Sequence, residues 1–496
     1  MAPDIIIIGS GMGGATLAAA LAPTGRRILI LERGERLETS PEARDDAAIF
    51  KRGHFRPDEM WLDAAGKPFN PGNYYHPGGN SKFYGAVLMR YRAEDFAPMR
   101  HLGGTTPGWP FDYAELEPHY QAAEDLYLVR GALGDDPSEP NHSGRYNFPP
   151  VPDEPAIADL RARLKSIGLH PSALPLGVDI ERWLAYGKTP WDAFPDTCGG
   201  KMDAETIGLN QALQHPNVTL QTGTRVTRLI AGADQRIAEI ELTRGDTIER
   251  MSAPVIVLCA GAVNSAALLL ASADAARPTG MANRSDQVGR NFMNHNLSAV
   301  LGLHPFRRNA SIYQKTIHLN DFYLAGGPDG APLGNIQMLG KISGTMMAAD
   351  TPIPKMLATW IARRSVDILA MSEDLPNPES RVLLRGDQIV LDWRRSNWEA
   401  HLMLVAKLKS SLRRAGYPIV LSRAFDKRTP SHQCGTARMG NDPSASVVDG
   451  FCRSHDHANL FIVDASVLPT SAAVNPALTI AALALRTARH IQQAHP

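Results

Sequence analysis

Two residues near the C-terminal end are of types that could work on an alcohol. His432 opens the small-residue segment Gln433-Cys434-Gly435-Thr436-Ala437, Asn475 opens Pro476-Ala477-Leu478-Thr479, and the apolar run Leu460-Phe461-Ile462-Val463 lies between them. A strand flanked by two such segments can bring both side chains to one point. An imidazole with an unperturbed pKa near ~6.5 accepts a proton at neutral pH, and a carboxamide can hold a hydroxyl oxygen without ionising. The pair suits abstraction of an alcohol proton. It lacks an acceptor for the hydride that leaves the carbinol carbon.

The other end of the chain signals that acceptor. Asp4-Ile5-Ile6-Ile7-Ile8 is a β-branched run with the character of a buried parallel strand, followed at once by Gly9-Ser10-Gly11-Met12-Gly13-Gly14. Gly9, Gly11 and Gly14 supply the three glycines of the dinucleotide fingerprint. The apolar segment from Ala15 to Leu21 predicts a helix whose first N–H groups can hold a pyrophosphate, and Arg27-Ile28-Leu29-Ile30-Leu31 predicts the next strand. That strand ends at Glu32, placed to bind the hydroxyl pair of a ribose. Strand, turn, helix, strand and acid in this order make a nucleotide site a far better account than an ordinary glycine turn, which leaves the acid unexplained.

The motifs at the two ends, with Gly78-Gly79-Asn80-Ser81-Lys82-Phe83-Tyr84-Gly85 and Val288-Gly289-Arg290-Asn291-Phe292-Met293-Asn294-His295 between them, resemble over the whole chain the glucose–methanol–choline (GMC) flavoprotein oxidoreductases. Within that family the wording is most like the bacterial pyranose and glycoside oxidases. The resemblance implies FAD as the cofactor, His432 as the proton-accepting histidine and Asn475 as its partner. Pro476 then starts a helix whose positive end faces the flavin, Thr479 adds a contact one turn on, and Asp464 binds near the ribityl chain. Gly79, Asn80, Ser81 and Tyr84 are expected to border the isoalloxazine, Tyr84 standing where many relatives carry asparagine. Val226 is expected to offer its backbone to the adenine, and Ala260 to pack on the pyrophosphate side. Some pyranose oxidases tether the flavin through a histidine in the loop of residues 78–85; Phe83 occupies that place here, so FAD is expected to be non-covalent.

The fold expected is α/β, with a Rossmann-like FAD domain assembled from residues 1–110, 196–298 and 432–496. Residues 111–195 and 299–431 form a substrate domain with a mainly antiparallel sheet. Runs such as Asn335-Ile336-Gln337-Met338 and Gln388-Ile389-Val390-Leu391-Asp392 are expected in that sheet, lying across the flavin. Gln337 is a candidate to bond a substrate hydroxyl; Met338, Met346 and Met347 are read as packing residues, and His295 as a satisfied structural histidine. Cys434, Cys452, His455 and His457 contain a Cys-x-x-His spacing, but the first belongs to the His432 motif and the two histidines to a polar turn, so no metal is expected.

Composition narrows the partners. Of 496 residues, 44% are hydrophobic, enough for a large core, while 51 Lys and Arg balance 51 Asp and Glu, which gives no argument for nucleic acid or an anionic surface. Four cysteines make no disulfide framework. Apolar runs stay short of the ~18 residues of a membrane span, and the first cofactor strand starts too early for a cleavable signal, so a cytoplasmic location is expected. The expected reaction is oxidation of a secondary hydroxyl of a sugar or glycoside to a keto sugar, with hydride passing to flavin N5 and oxygen or a quinone-type carrier reoxidising the flavin. The alternatives are a sterol or other non-sugar alcohol, a flavin-containing lyase of the same fold, or a non-catalytic electron-transfer subunit.

Overall fold

The computed structural model describes residues 2–429 and 432–494. Its first sheet is parallel and five-stranded, in the order Leu460–Ile462, Val255–Leu258, Ile5–Ile8, Ile28–Leu31, Val218–Gln221. Ile5 sits between Val255 and Ile28 in register, and all four isoleucines of the central strand are buried, as expected where helices cover both faces. The helices Met12–Leu21 and Ala477–Ala494 pack against each other, so the two ends of the chain close on one another. Strands from three distant stretches thus make one nucleotide-binding layer, as the order of motifs suggests.

The second large sheet has six strands, in the order Ile419–Ala424, Asn296–Leu303, Ser365–Ser372, Asn335–Met338, Ile317–Leu319, Ser172–Ala173, every pair antiparallel. Alternation along the strands sorts two faces. Val300, Ile368 and Met338 are cross-strand partners in one row, which packs beneath Leu404, Leu408 and Leu412 of the helix Trp398–Arg414. The neighbouring row, Ala299, Leu369 and Gln337, faces the other way, toward the nucleotide layer.

Two elements fall elsewhere than expected. Gln388–Asp392 does not join the sheet across the cofactor; it pairs with Arg381–Arg385 and runs parallel to Trp61–Asp63 in a separate four-stranded sheet. Its three central residues are buried there with Trp61, so the apolar run that suggested the larger sheet is satisfied by a partner over three hundred positions back in the chain. The helix Tyr113–Leu126, capped by Asp112 through the Glu115 N–H, packs on Ala477–Ala494. Residues assigned by sequence to the substrate domain therefore begin as part of the wall around the nucleotide layer.

Candidate active site

A cavity of about 2060 Å³ runs between the two sheets, and both ends of the chain line it. At the nucleotide end the first strand turns through Gly9, at φ 101°, into the helix Met12–Leu21. The first helical hydrogen bond is from Ala15 N–H to Gly11 O at 2.9 Å, which leaves the N–H groups before it turned toward the cavity. The glycines have separable reasons. A Cβ on Gly9 would lie 2.4 Å from Cys259 O, one on Gly14 2.1 Å from Gly9 O, and one on Gly13, which the fingerprint alone did not single out, 1.8 Å from Val463 O. A Cβ on Gly11 would meet nothing within 4 Å. Gly11 borders open space, so glycine there keeps room for an approaching group rather than for packing.

Glu32 lines the cavity, its Oε2 accepting from Ser10 N–H (3.1 Å) and Ser10 Oγ (2.7 Å) and its Oε1 from Gly34 N–H (3.1 Å). Burial raises its carboxyl above the usual range in spite of these donors. Gly79, at φ 56°, stands over Gly11, and a Cβ there would come 3.6 Å from the Gly11 Cα. Asn80 and Ser81 also line the cavity, but their side chains are engaged. Asn80 Oδ1 accepts from Tyr74 N–H, and Ser81 Oγ donates to Gly78 O and accepts from Ala204 N–H. The Tyr84 ring borders the cavity while its hydroxyl donates to Met202 O at 2.7 Å, so its phenol is spent on the wall. Phe83 stacks on Tyr74 with ring centroids 3.6 Å apart. Val226, Ala260 and Asp464 also line the cavity, the Asp464 carboxylate accepting from Gly261 N–H (2.9 Å), Ser265 Oγ (2.6 Å) and Ser466 N–H (2.8 Å).

Thr479 departs from expectation. It is fully buried and does not border the cavity; its Oγ1 is 2.7 Å from Tyr120 Oη, because one turn into the helix the side chain points at the neighbouring helix Tyr113–Leu126. Asn475, Pro476, Ala477 and Ile480, at the start of that helix, are the residues that line the cavity.

At the other end of the cavity His432 and Asn475 meet, with Nε2 of the ring 3.1 Å from Nδ2 of the amide. The segment holding His432 is pinned by a two-way backbone bridge between Cys434 and Met293, both at 3.0 Å. Gly435, at φ 89°, allows the close approach, since a Cβ would lie 2.4 Å from Asn291 O. His432 itself is held at φ 70°, a conformation that costs a non-glycine residue energy and marks an overdetermined position. The bridge sets His295 beside it, Nδ1 to Nδ1 at 2.7 Å. His295 Nε2 lies 2.9 Å from Ser471 O and 2.8 Å from Ala472 O, two atoms that only accept, so it must carry the proton. His295 Nδ1 is then an acceptor, His432 Nδ1 must donate to it, and His432 Nε2 is left as the free base. His295, expected as a satisfied structural histidine, is bonded at both nitrogens and in addition sets the tautomer of His432.

Gln337, expected as a substrate contact, lies one layer back. It is buried, does not border the cavity, and its Nε2 donates to Asn475 Oδ1 at 3.0 Å. That bond turns the Asn475 N–H face toward His432 and the space in front of it. Burial, then His295 and Lys315, push the His432 pKa well below its ordinary value, so the ring is a neutral proton acceptor through the physiological range. Burial likewise lowers His295 to about 4. Lys315 and Asp192 lie in no motif that marks them in the sequence. They line the cavity as an ion pair at 2.9 Å, and although burial favours the neutral acid, the Lys315 ammonium holds the Asp192 carboxyl below its usual range.

Family models for GMC oxidoreductase match residues 185–297 and 403–484, and one for an NAD(P)-binding Rossmann-like domain matches residues 7–53. The chain is 30% identical to the 6'''-hydroxyparomomycin C oxidase of Streptomyces lividus, over 98% of its own length and 91% of that protein. The chain belongs to the GMC oxidoreductase family. It is 29% identical to the paromamine 6'-oxidase of Streptomyces fradiae over the same shares of the two chains, 98% and 91%. Among solved structures, the pyridoxine 4-oxidase from Mesorbium loti superimposes with a TM-score of 0.69 at 22% identity, each chain covered completely (100%), which shows the common fold. A GMC member of this kind oxidises a CH–OH group with FAD, and the residues here fit that cofactor. Gly11 keeps open space beside helix N–H groups, Glu32 and Asp464 are buried acids on the cavity wall, and the cavity joins them to His432 and Asn475. Among the described residues no helix is long and apolar enough to cross a membrane.

Proposed function

We propose that this GMC oxidoreductase oxidises a hydroxyl of a sugar or glycoside, with His432 as the proton acceptor and Asn475 holding the hydroxyl oxygen. The observation that carries the roles is the ordered chain from the Ser471 and Ala472 carbonyls through His295 to His432, which leaves the Nε2 lone pair beside the Asn475 N–H. An alcohol entering here replaces the amide as partner of Nε2. Its O–H donates to Nε2 while Asn475 Nδ2–H donates to its oxygen, a pose that removes much of the orientational cost of reaction. FAD, when bound, supplies the acceptor for the hydride. The carbinol carbon gives up that hydride, its oxygen gives the proton to His432, and the C–O bond becomes a carbonyl. Oxygen or a quinone-type carrier would be the final electron acceptor. The sugar assignment draws on the relatives named for paromamine and hydroxyparomomycin oxidation.

In an anaerobic stopped-flow experiment, His432→Ala should slow flavin reduction by about 10²- to 10⁴-fold with the visible spectrum of bound FAD retained. Reduction at the wild-type rate would remove His432 from this role. The cofactor is proposed to be non-covalent, since Phe83 stands where a tether would need a nucleophile. Acid precipitation should leave the yellow colour in the supernatant, and a yellow pellet would contradict it.

A further inference from the structure

A polar pair in the cavity lining is left unused by the chemistry at His432. Lys315 is 3% exposed, and its ammonium lies 2.9 Å from Asp192 Oδ2, which also accepts from Gly340 N–H at 3.0 Å. Among the described residues these are the only hydrogen bonds that either side chain makes. Two N–H donors of Lys315 and the whole of Asp192 Oδ1 are therefore unspent. The Asp192 side chain keeps 19% of its surface open, and both residues border the cavity. Charges so nearly buried need their bonding completed, and the space in front of them must supply the partner. Two other ion pairs of the lining, Arg423–Asp350 and Arg428–Asp426, are exposed on every member, where water serves.

The turn that carries Asp192 is fixed from behind. Lys201 Nζ donates to Trp191 O (3.2 Å) and Phe194 O (2.7 Å), and Trp191 Nε1 donates to Gly85 O (3.1 Å). Ala193 is held at φ 65°, a left-handed conformation that its surroundings must impose. Gly85 leaves the pair its room, since a Cβ there would lie 2.6 Å from Asp192 Oδ1 and 2.9 Å from Lys315 Nζ. Register gives the span to the reactive pair. His318 pairs with Gln337, which holds Asn475; three residues back along the first strand is Lys315, and three on along the second is Gly340. At ~3.3 Å per residue the pair stands roughly 10 Å along the antiparallel sheet from the amide anchor.

We infer that Lys315 and Asp192 form a second anchor for the substrate, binding one hydroxyl group remote from the one oxidised, which donates to Asp192 Oδ1 and accepts from Lys315 Nζ. A hydroxyl does both at once, whereas an ammonium only donates and a carboxylate only accepts. Resting on the reading of His432 and Asn475 as the alcohol-oxidising pair, the second anchor adds the class of alcohol: a polyol. A monohydric alcohol of similar bulk would displace water from both charges and replace none of its hydrogen bonds.

The test is anaerobic reduction of the FAD-loaded enzyme by the methyl pyranosides of glucose, galactose and mannose and by cyclohexanol, in wild type, Lys315→Met and Asp192→Asn. The pH is set well above the ordinary histidine value, because Lys315 is one of the charges that depress His432. The quantity read is the ratio of the second-order reduction constant for the best glycoside to that for cyclohexanol, which is internal to one enzyme sample and so insensitive to partial loss of folded protein. Wild type should favour the glycoside, and each substitution should lower the ratio about 10- to 150-fold, the worth of a hydrogen bond to a charged group. In wild type alone, removing single hydroxyls from the best glycoside should show the same loss at one position other than that oxidised. An unmoved ratio in both variants, or no such position, would make the pair structural and overturn the inference while leaving the alcohol-oxidation reading intact. Preference of wild type for cyclohexanol over every glycoside would overturn it too. Failure of every compound to bleach the flavin would instead sink the reading on which the inference stands.

Discussion

His295 shows how much one side chain can decide at the level of protonation. It does not itself border the cavity, yet through a 2.7 Å contact it commits His432 to the tautomer with a free Nε2. His295→Ala removes that acceptor and lets His432 divide between tautomers, so flavin reduction should slow about three- to ten-fold, the worth of one hydrogen bond. The pH profile gives a second readout. A base whose pKa is depressed stays deprotonated at every pH above the depressed value, so wild-type kcat/KM should lose activity through this group only well below pH ~6.5. Removing His295 takes away one of the causes of the depression, and the acid limb should move up toward the ordinary histidine value. His295→Gln, whose amide can donate to the Ser471 and Ala472 carbonyls and accept from His432, should restore the rate. A merely structural histidine would give a stability loss with an unmoved acid limb, and that result would remove the tautomer role.

At the level of elements, the glycines of the first turn separate packing from binding. Gly13→Ala forces a Cβ against the Val463 carbonyl at 1.8 Å, where backbone must move, and overpacking of this kind costs about 1–3 kcal/mol. Gly11→Ala meets no atom, so the apoprotein should melt close to wild type, while its methyl group takes space beside the helix N–H groups. Thermal unfolding together with FAD titration should therefore show Gly13→Ala unstable and Gly11→Ala stable but weak in FAD affinity. Unchanged affinity in Gly11→Ala would move the pyrophosphate seat elsewhere. The strand–turn–helix was legible because local pattern alone dictates it: a β-branched run, glycines, a helix, an acid. That the His432 and Asn475 side chains would meet was legible for the same reason, each opening a small-residue segment beside a strand. What could not be read was which side chains face each other. His295 and His432 are 137 positions apart, and nothing in either motif says that their rings touch. Gln337 was placed on the correct sheet and face but not behind Asn475, and Thr479 carries a hydroxyl that a different helix takes. Gln388–Asp392 alternates as an antiparallel strand should, yet sheet membership is settled by a short partner around Trp61 that periodicity cannot weigh.

Over the whole molecule, the cavity between the sheets is a structural seam as well as the proposed reaction chamber. The parallel sheet draws strands from the N-terminal, middle and C-terminal stretches, and a space of about 2060 Å³ separates it from the antiparallel sheet whose cavity-facing row includes Leu369 and Ala299. Filling that space joins walls contributed by both sheets, and only the folded chain presents those walls together. FAD must then stabilise the fold by mass action, about 2.7 kcal/mol when its concentration is a hundredfold above Kd. Stripping FAD should lower the melting temperature, adding it back should restore it in a concentration-dependent way, and NAD at the same concentration should restore less. A melting temperature indifferent to FAD over that range would mean that the cavity between the sheets is not where the cofactor gains its affinity, and the assignment of Glu32, Gly11 and Asp464 to its binding would fall with it.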